Sequence, residues 1–364
     1  MSSSFSQGPT LIHGSSQVGR LNSPSHEFTN PPVFLYTLRM RRWLVSLAFL
    51  CVSGWSADAV AWGCEGHRAV VMIAERLVPA AKLAAARALL AASPVDPNLR
   101  VGCPPVPDDP VAEAATWADD YRSDHLETFN WHFTNLPRVW KSATANPAAA
   151  CAAGSCAIEA IVAQFQLLTH SADTAVKANA LRFILHFVGD LHQPLHSTSN
   201  GDRGGNCVPV TFFGQAPQQN PNSDDYSPNL HGIWDSSMIR RMMTDQALAD
   251  AQALSDHIVA KKPLPASVVA SAPTKARVTS WARQAHEVGR TVAYGKLPVA
   301  VGMEPATAII LSSCQDNHDI VHRMLALNES IGNAYLAAGE PAIAGQLRLA
   351  GVHLASVLKA AFPL

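Results

Sequence analysis

The segment from Leu181 to His196, LRFILHFVGDLHQPLH, restricts the fold more than any other stretch of the chain. Its apolar residues recur at helical spacing and predict a buried helix from Ala175 to Leu191. Gln193-Pro194 ends that helix, and His196 lies beyond the turn, free to aim elsewhere. Yet the helix carries His186 and Asp190 four residues apart, hence on one face. A second such pair, His231 and Asp235 in HGIWD, sits in another apolar stretch. Unpaired polar groups in such surroundings cost on the order of several kcal/mol each. One pair alone reads as a solvated or helix-stabilising contact. Two such pairs in apolar segments, each able to reach one metal, point to metal binding, and imidazole with carboxylate but without thiolate suits zinc.

The rest of the chain reads mostly as helix. From His67 to Ala92 the apolar spacing is helical, with Pro79 separating two helices. Residues 93–110 form a Pro- and Asp-rich loop, and shorter helices follow over Ala112–Asp124 and Ser155–Leu168. Residues 198–206 are a glycine-rich turn, and Val208–Phe213 is a strand expected to form one arm of a short hairpin. A polar loop over 214–229 leads back to helix after Leu230. The last two helices are expected over Asp319–Ala338 and Pro341–Ala361, with Gly339 as a C-cap and Pro341 in the first turn. The expected fold class is all-α: a single compact multi-helix domain over residues 62–364 with one short β-hairpin.

The first 61 residues do not read as part of that fold. Residues 1–39 are rich in Ser, Pro, Gly and Asn and lack periodicity; they are a disordered extension, or they precede a true start at Met40. Residues 40–61 read as a signal peptide. Arg41 and Arg42 form the charged region, Trp43–Cys51 the apolar region, and Ala59-Val60-Ala61 the cleavage site. Cleavage after Ala61 leaves six cysteines, 23 basic and 26 acidic side chains. The small charge excludes a protein that holds duplex DNA mainly by phosphate neutralisation, and 48% apolar content excludes a disordered chain. An even cysteine count in an exported chain suits disulfides. Cys151 and Cys156 are close enough to close a small loop. The sequence leaves the other four open; Cys64 with Cys103 and Cys207 with Cys314 is our expectation. Zinc thiolates are the weaker reading, since the chain has no Cys-x-x-Cys pair.

Six segments in order carry a family resemblance: WGCEGH, TWADDYR, NWHFTN, LRFILHFVGDLHQPLH, GGN and NLHGIWD. Together they resemble the zinc-dependent S1/P1 nucleases, secreted and mostly helical enzymes of the phospholipase C/P1 nuclease superfamily that cut single-stranded DNA and RNA. The resemblance implies three zinc ions. Asp119, His132, His186 and Asp190 would hold the first. Asp190 would bridge to a second, also held by His67 and by the α-amine and carbonyl oxygen of Trp62. His196, His231 and Asp235 would hold the third. It further implies hydrolysis by zinc-activated hydroxide, with Asp119 orienting the nucleophile and Arg122 stabilising the phosphoryl oxygens. Phe133 would stack on a base. Asn135 stands where fungal members commonly carry Asp, and an amide both donates and accepts. Asn206 would orient a loop at the mouth of the site. His192 is no family ligand and reads as supporting a ligand or the fold. The implied products are 5′-phosphates, with 3′-nucleotides as further substrates; the signal peptide gives a secreted or periplasmic protein, and a monomer is our default expectation.

Three rival readings are weighed against this one. A bacterial zinc phospholipase C shares the helical tri-zinc plan, but the Asp235 position, the GGN turn and TWADDYR favour a nuclease. A ferritin-like di-iron protein needs Glu-x-x-His pairs, absent from these ligands. A non-catalytic single-strand binder needs a basic groove with repeated aromatics, which 7% aromatic content does not suggest.

Overall fold

A computed structural model describes residues 62–99, 101–151, 154–220, 225–303, Cys314 and 330–362. The expected N-terminal extension and signal peptide, and the expected helix start at Asp319, lie outside the described residues.

The helices follow the apolar pattern, with boundaries set by caps. α1 (Gly63–Glu75) is buried on nearly every side, which its run of Ala69, Val70, Val71, Ile73 and Ala74 allows. α2 (Ala80–Ala92) starts after Pro79. The expected helix over Ala112–Asp124 is two helices. α3 (Pro110–Ala114) begins early because Asp109 Oδ1 accepts from the amides of Val111 (3.2 Å) and Ala112 (3.1 Å), with proline in the first turn. α4 (Trp117–Asp124) follows, then a 3₁₀ turn over Leu126–His132. After the short α5 (Pro147–Ala150), α6 (Ala157–His170) and α7 (Thr174–His192) form an antiparallel pair. Asp173 caps α7, accepting from Ala175 N at 2.7 Å. Its last half, from Ala180 to His192, is wholly buried, making it the central helix.

Beyond α7 come α8 (Leu230–Gly232), a wider helical turn over Ile233–Ser237, α9 (Met238–Asp245), α10 (Ala251–Lys261), α11 (Lys275–Val288) and α12 (Asn333–Ala361). α1 packs on α10 and α12, and α12 also packs on α7. The expected break at Gly339 does not occur: α12 runs through Gly339 and Pro341. Gly339 serves packing, because a Cβ there would stand 2.3 Å from Met238 Cε. Pro341 removes one amide from the helix, and Lys262 Nζ donates to its carbonyl at 2.9 Å.

The strands are short, and the expected arm Val208–Phe213 makes antiparallel bridges from Pro209 to Asn229 and from Phe212 to Gln215, with further pairings the sequence did not suggest. β3 (Thr211–Phe212), inside the expected strand, pairs in parallel with β6 (Ser330–Ile331). The hairpin lies in the loop read as polar, joining β4 (Gln218–Gln219) to β5 (Tyr226–Ser227). Sequence spacing could not reveal a partner more than a hundred residues away. The pair that matters for the site is β1 (Leu136–Pro137) with β2 (Thr198–Ser199), parallel with Leu136 opposite Thr198. It ties the chain leaving His132 to the chain leaving His196.

Disulfides join Cys64 to Cys103, Cys151 to Cys156 and Cys207 to Cys314, the three expected pairs. They mark a protein of an oxidising compartment. Among the described residues no helix is long and apolar enough to cross a membrane.

Candidate metal centre

Several segments converge on one buried cluster. α1 supplies His67, α4 Asp119, the 3₁₀ turn His132, and α7 His186 and Asp190. The loop after α7 supplies His196, while α8 and the wide turn beyond it supply His231 and Asp235. Three groups place their ligand atoms within 4.8 Å of one another: His67, His186 and Asp190; Asp119, His132 and His186; and His196, His231 and Asp235. Asp190 is the hub. Its Oδ2 stands 2.9 Å from His132 Nδ1 and 3.1 Å from His186 Nε2. Its Oδ1 stands 3.3 Å from His67 Nε2 and 3.9 Å from His196 Nδ1. Asp235 lies 3.2 Å from His231 Nε2 and 3.6 Å from His196 Nε2.

The donor set fits a metal cofactor. Both ring nitrogens of His67, both carboxylate oxygens of Asp119, His132 Nε2, Asp190 Oδ1 and Asp235 Oδ2 are buried without a hydrogen bond. Native interiors leave few such atoms, and here seven gather in one place. All of them are nitrogen or oxygen donors of the kind zinc accepts.

The rings are held from behind. His186 Nδ1 donates to Ala115 O (2.7 Å), His196 Nδ1 to the carbonyl of His132 (2.7 Å), and His231 Nδ1 to Gly204 O (2.8 Å). Each bond fixes a tautomer and leaves Nε2 to face the cluster. His67 stacks on His186, with centroids 4.0 Å apart. Gly189 makes room for it, since a Cβ there would stand 2.8 Å from His67 Nδ1.

Electrostatics follow from burial among carboxylates. Burial disfavours the charged form of His186, but Asp190 and Asp119 outweigh it and push the ring up to about 9. Burial lowers His132 to about 4 despite its bond to Asp190. Burial would raise Asp190, yet the facing histidines hold it well below the usual carboxylate range.

The remaining expected residues fall at different distances from this hub. Arg122 Nη2 is 3.4 Å from Asp119 Oδ1, and its guanidinium lies over the ring of Phe129, 5.6 Å from the centroid. Phe133 is half-buried and meets Phe129 edge-on. Asn135 adopts φ +50°, its amide bonded to the carbonyl of His196 at 3.2 Å. Asn206 closes its own turn by donating to Arg203 O at 2.8 Å, two residues from the carbonyl that holds His231. Trp62 is fully buried, its indole donating to Gly189 O at 2.7 Å and its carbonyl accepting the amide of Gly66 at 2.9 Å. His192 stays out of the cluster. It donates to Val188 O (2.7 Å) and meets His353 (2.8 Å), whose ring stacks on Trp281. Its role is to join α7 to α12.

Two supporting residues escaped the sequence reading. Gln193 donates to Asp235 Oδ1 and accepts from the amide of Leu195, so the residue read as a helix stop also orients a carboxylate. Asp202 is buried beneath the glycine-rich turn, where it accepts Tyr294 OH (2.8 Å) and the amides of Asn200 (3.1 Å) and Gly205 (3.0 Å). A lone Asp in GDRGG signals a turn, and only the tertiary contact with Tyr294 reveals the anchor.

The S1/P1 nuclease family profile matches residues 62–363. The chain belongs to the S1/P1 nuclease family. Among curated relatives it is 29% identical over 198 residues to nuclease S1 of Aspergillus oryzae, covering 54% of this chain and 60% of that protein. It is 30% identical over 202 residues to nuclease P1 of Penicillium citrinum, covering 54% and 66%. It is 28% identical over 217 residues to endonuclease 4 of Arabidopsis thaliana, covering 55% and 62%. The aligned region thus spans less than two thirds of each relative. As an S1/P1 family member the chain has the expected helical plan, and its buried His/Asp clusters fit a metal cofactor.

Proposed function

We propose that this S1/P1 family member is an exported zinc-dependent endonuclease. It would hydrolyse single-stranded DNA and RNA to 5′-phosphate products and also act on 3′-nucleotides. The observation that carries the reading is the hub at Asp190, one carboxylate shared by four imidazoles, with the Arg122 guanidinium against the neighbouring Asp119. In this reading Asp119, His132, His186 and Asp190 hold one zinc, and Asp190, His67 and Trp62 a second. His196, His231 and Asp235 hold a third. Bound zinc supplies an activated water and neutralises phosphate charge.

The chain's own groups do the rest. Arg122 presents its guanidinium to phosphoryl oxygens, where charge develops. Asp119, beside it, orients the attacking water. Phe133 offers a ring to a base, and Asn135 an amide to the base edge. Gln193 keeps Asp235 turned toward His196 and His231. The working form in this reading is a secreted or periplasmic monomer that begins at Trp62.

The test pairs mass and metal analysis of the exported protein with two substrates, single-stranded DNA and phosphatidylcholine. The reading expects a chain starting at Trp62, three zincs and cleavage of DNA alone. Cleavage of the lipid alone would make the chain a phospholipase C. Three zincs on an active chain that keeps residues before Trp62 would remove the α-amine of Trp62 from the ligands.

A further inference from the structure

The 3₁₀ turn that delivers His132 carries a second feature on the same face. Residues three apart eclipse one another in such a turn, so Leu126, Phe129 and His132 form one line. His132 lies fully buried in the metal cluster, Phe129 is 41% exposed and Leu126 is 73% exposed. The line therefore runs from the ligands out to solvent as an apolar ramp.

The other aromatics nearby have structural partners. Trp117, Tyr121, Trp131, Phe183 and Phe187 pack on one another in a wall beneath the turn. Phe129 stands outside that wall. Among the described residues its ring partners are Phe133, edge-on at 5.6 Å, and the guanidinium of Arg122 at 5.6 Å. A large exposed ring is costly in water unless something covers it. Here it lies between a cation suited to phosphate and a ring next to a ligand.

We propose that Phe129, with Leu126 beyond it, forms a second nucleobase subsite that takes a base neighbouring the one at Phe133 on a single strand. A duplex keeps its bases stacked inside and cannot offer that face, so the subsite adds to single-strand selectivity. The proposal rests on the nuclease reading above.

The test compares wild type and Phe129→Ala as zinc-loaded proteins on a nine-residue oligodeoxyadenylate and on adenosine 3′-phosphate, which has one base. The loss of one stacked base predicts a kcat/KM lower by about five- to a hundredfold on the oligonucleotide. The loss appears mainly in KM, with the mononucleotide unchanged and Phe129→Trp restoring activity. An equal loss on both substrates would show that Phe129 merely seats Arg122, and no loss on the oligonucleotide would also overturn the proposal. Fluorescence anisotropy of a labelled nonamer provides a readout independent of turnover. If the wild type cleaves neither substrate, the nuclease reading fails. Equal anisotropy affinity of wild type and Phe129→Ala would then refute the subsite as well, while weaker binding by Phe129→Ala would uphold it.

Discussion

Replacing Asp190 by asparagine tests the centre most directly. The change keeps shape and one acceptor but removes the charge shared by His67, His132, His186 and His196. In metal-free protein the penalty can be worked from His186. After the opposing effect of burial, Asp190 is the largest of the causes raising that ring from 6.5 to about 9. Such a shift corresponds to about 3 kcal/mol, in line with roughly 3–5 kcal/mol for breaking a buried pair. The sign fixes the pH window. A raised histidine stabilises the fold fully below its unfolded value near 6.5 and loses that contribution as pH rises through about 9. Asp190→Asn should therefore lower the melting temperature in EDTA at pH 6 by about 6 °C or more, and by progressively less as pH rises from 6.5 to about 9. On the proposed three-zinc reading, the two sites that share Asp190 fail together in the loaded protein, so zinc content should fall from three to one. Asp235→Asn should remove only one. Metal analysis after gel filtration reads both outcomes. An Asp190→Asn protein holding three zincs, or one as stable as wild type in EDTA at pH 6, would refute the hub.

Three further perturbations follow from the same structure. Gly189→Ala places a Cβ 2.8 Å from His67 Nδ1 and should displace that ring, releasing one of the three proposed zincs; unchanged zinc content would show that the ring tolerates the methyl. Removing Cys207–Cys314, which spans 107 residues, should cost about 5 kcal/mol in urea unfolding, against about 2 for Cys151–Cys156, which spans 5; equal costs would contradict the loop-length argument. Burial holds His132, His192 and His286 near 4 and His353 near 3, so the unfolded chain takes up protons first and metal-free stability should fall by several kcal/mol as pH drops from about 6.5 to 4. Glu75, raised to about 7, and Asp120, raised to about 6, oppose this more weakly, and a flat profile in EDTA would refute the balance.

The parts legible in the sequence share one property: their signal is local. His186 with Asp190 and His231 with Asp235 announce themselves by four-residue spacing in apolar helix. The Gln193-Pro194 stop bounds α7 by equally local chemistry. The misreadings are positions where a distant partner overrides a local rule. Gly339 and Pro341 look like a cap and a helix start, yet Met238 fills the space a side chain at Gly339 would need and the helix continues. Thr211–Phe212 looks like a hairpin arm, and Phe212 does bridge Gln215, but its longer pairing is with the distant Ser330–Ile331. Gln193 was read for its proline neighbour, while its amide reaches Asp235, 42 residues away.

The same distinction explains how the centre is assembled. Spacing alone sets two pairs on two helical segments, but it does not aim a ring. Aiming comes from carbonyls on other segments: Ala115 for His186, His132 for His196, Gly204 for His231. The bond from His196 to the backbone of His132 is the most telling. It lies beside the β1–β2 pairing, so a member of one group is held by the main chain of a member of another. Orientation in one group therefore depends on the fold of its neighbour. With the rings aimed in advance, little ordering is left for an ion to impose. The seven unbonded donor atoms, costly while unpartnered, make ion binding and folding a single free-energy balance. A chelator should accordingly loosen α1, α4, the 3₁₀ turn and α8 together, because each of them is joined to α7 through that one cluster.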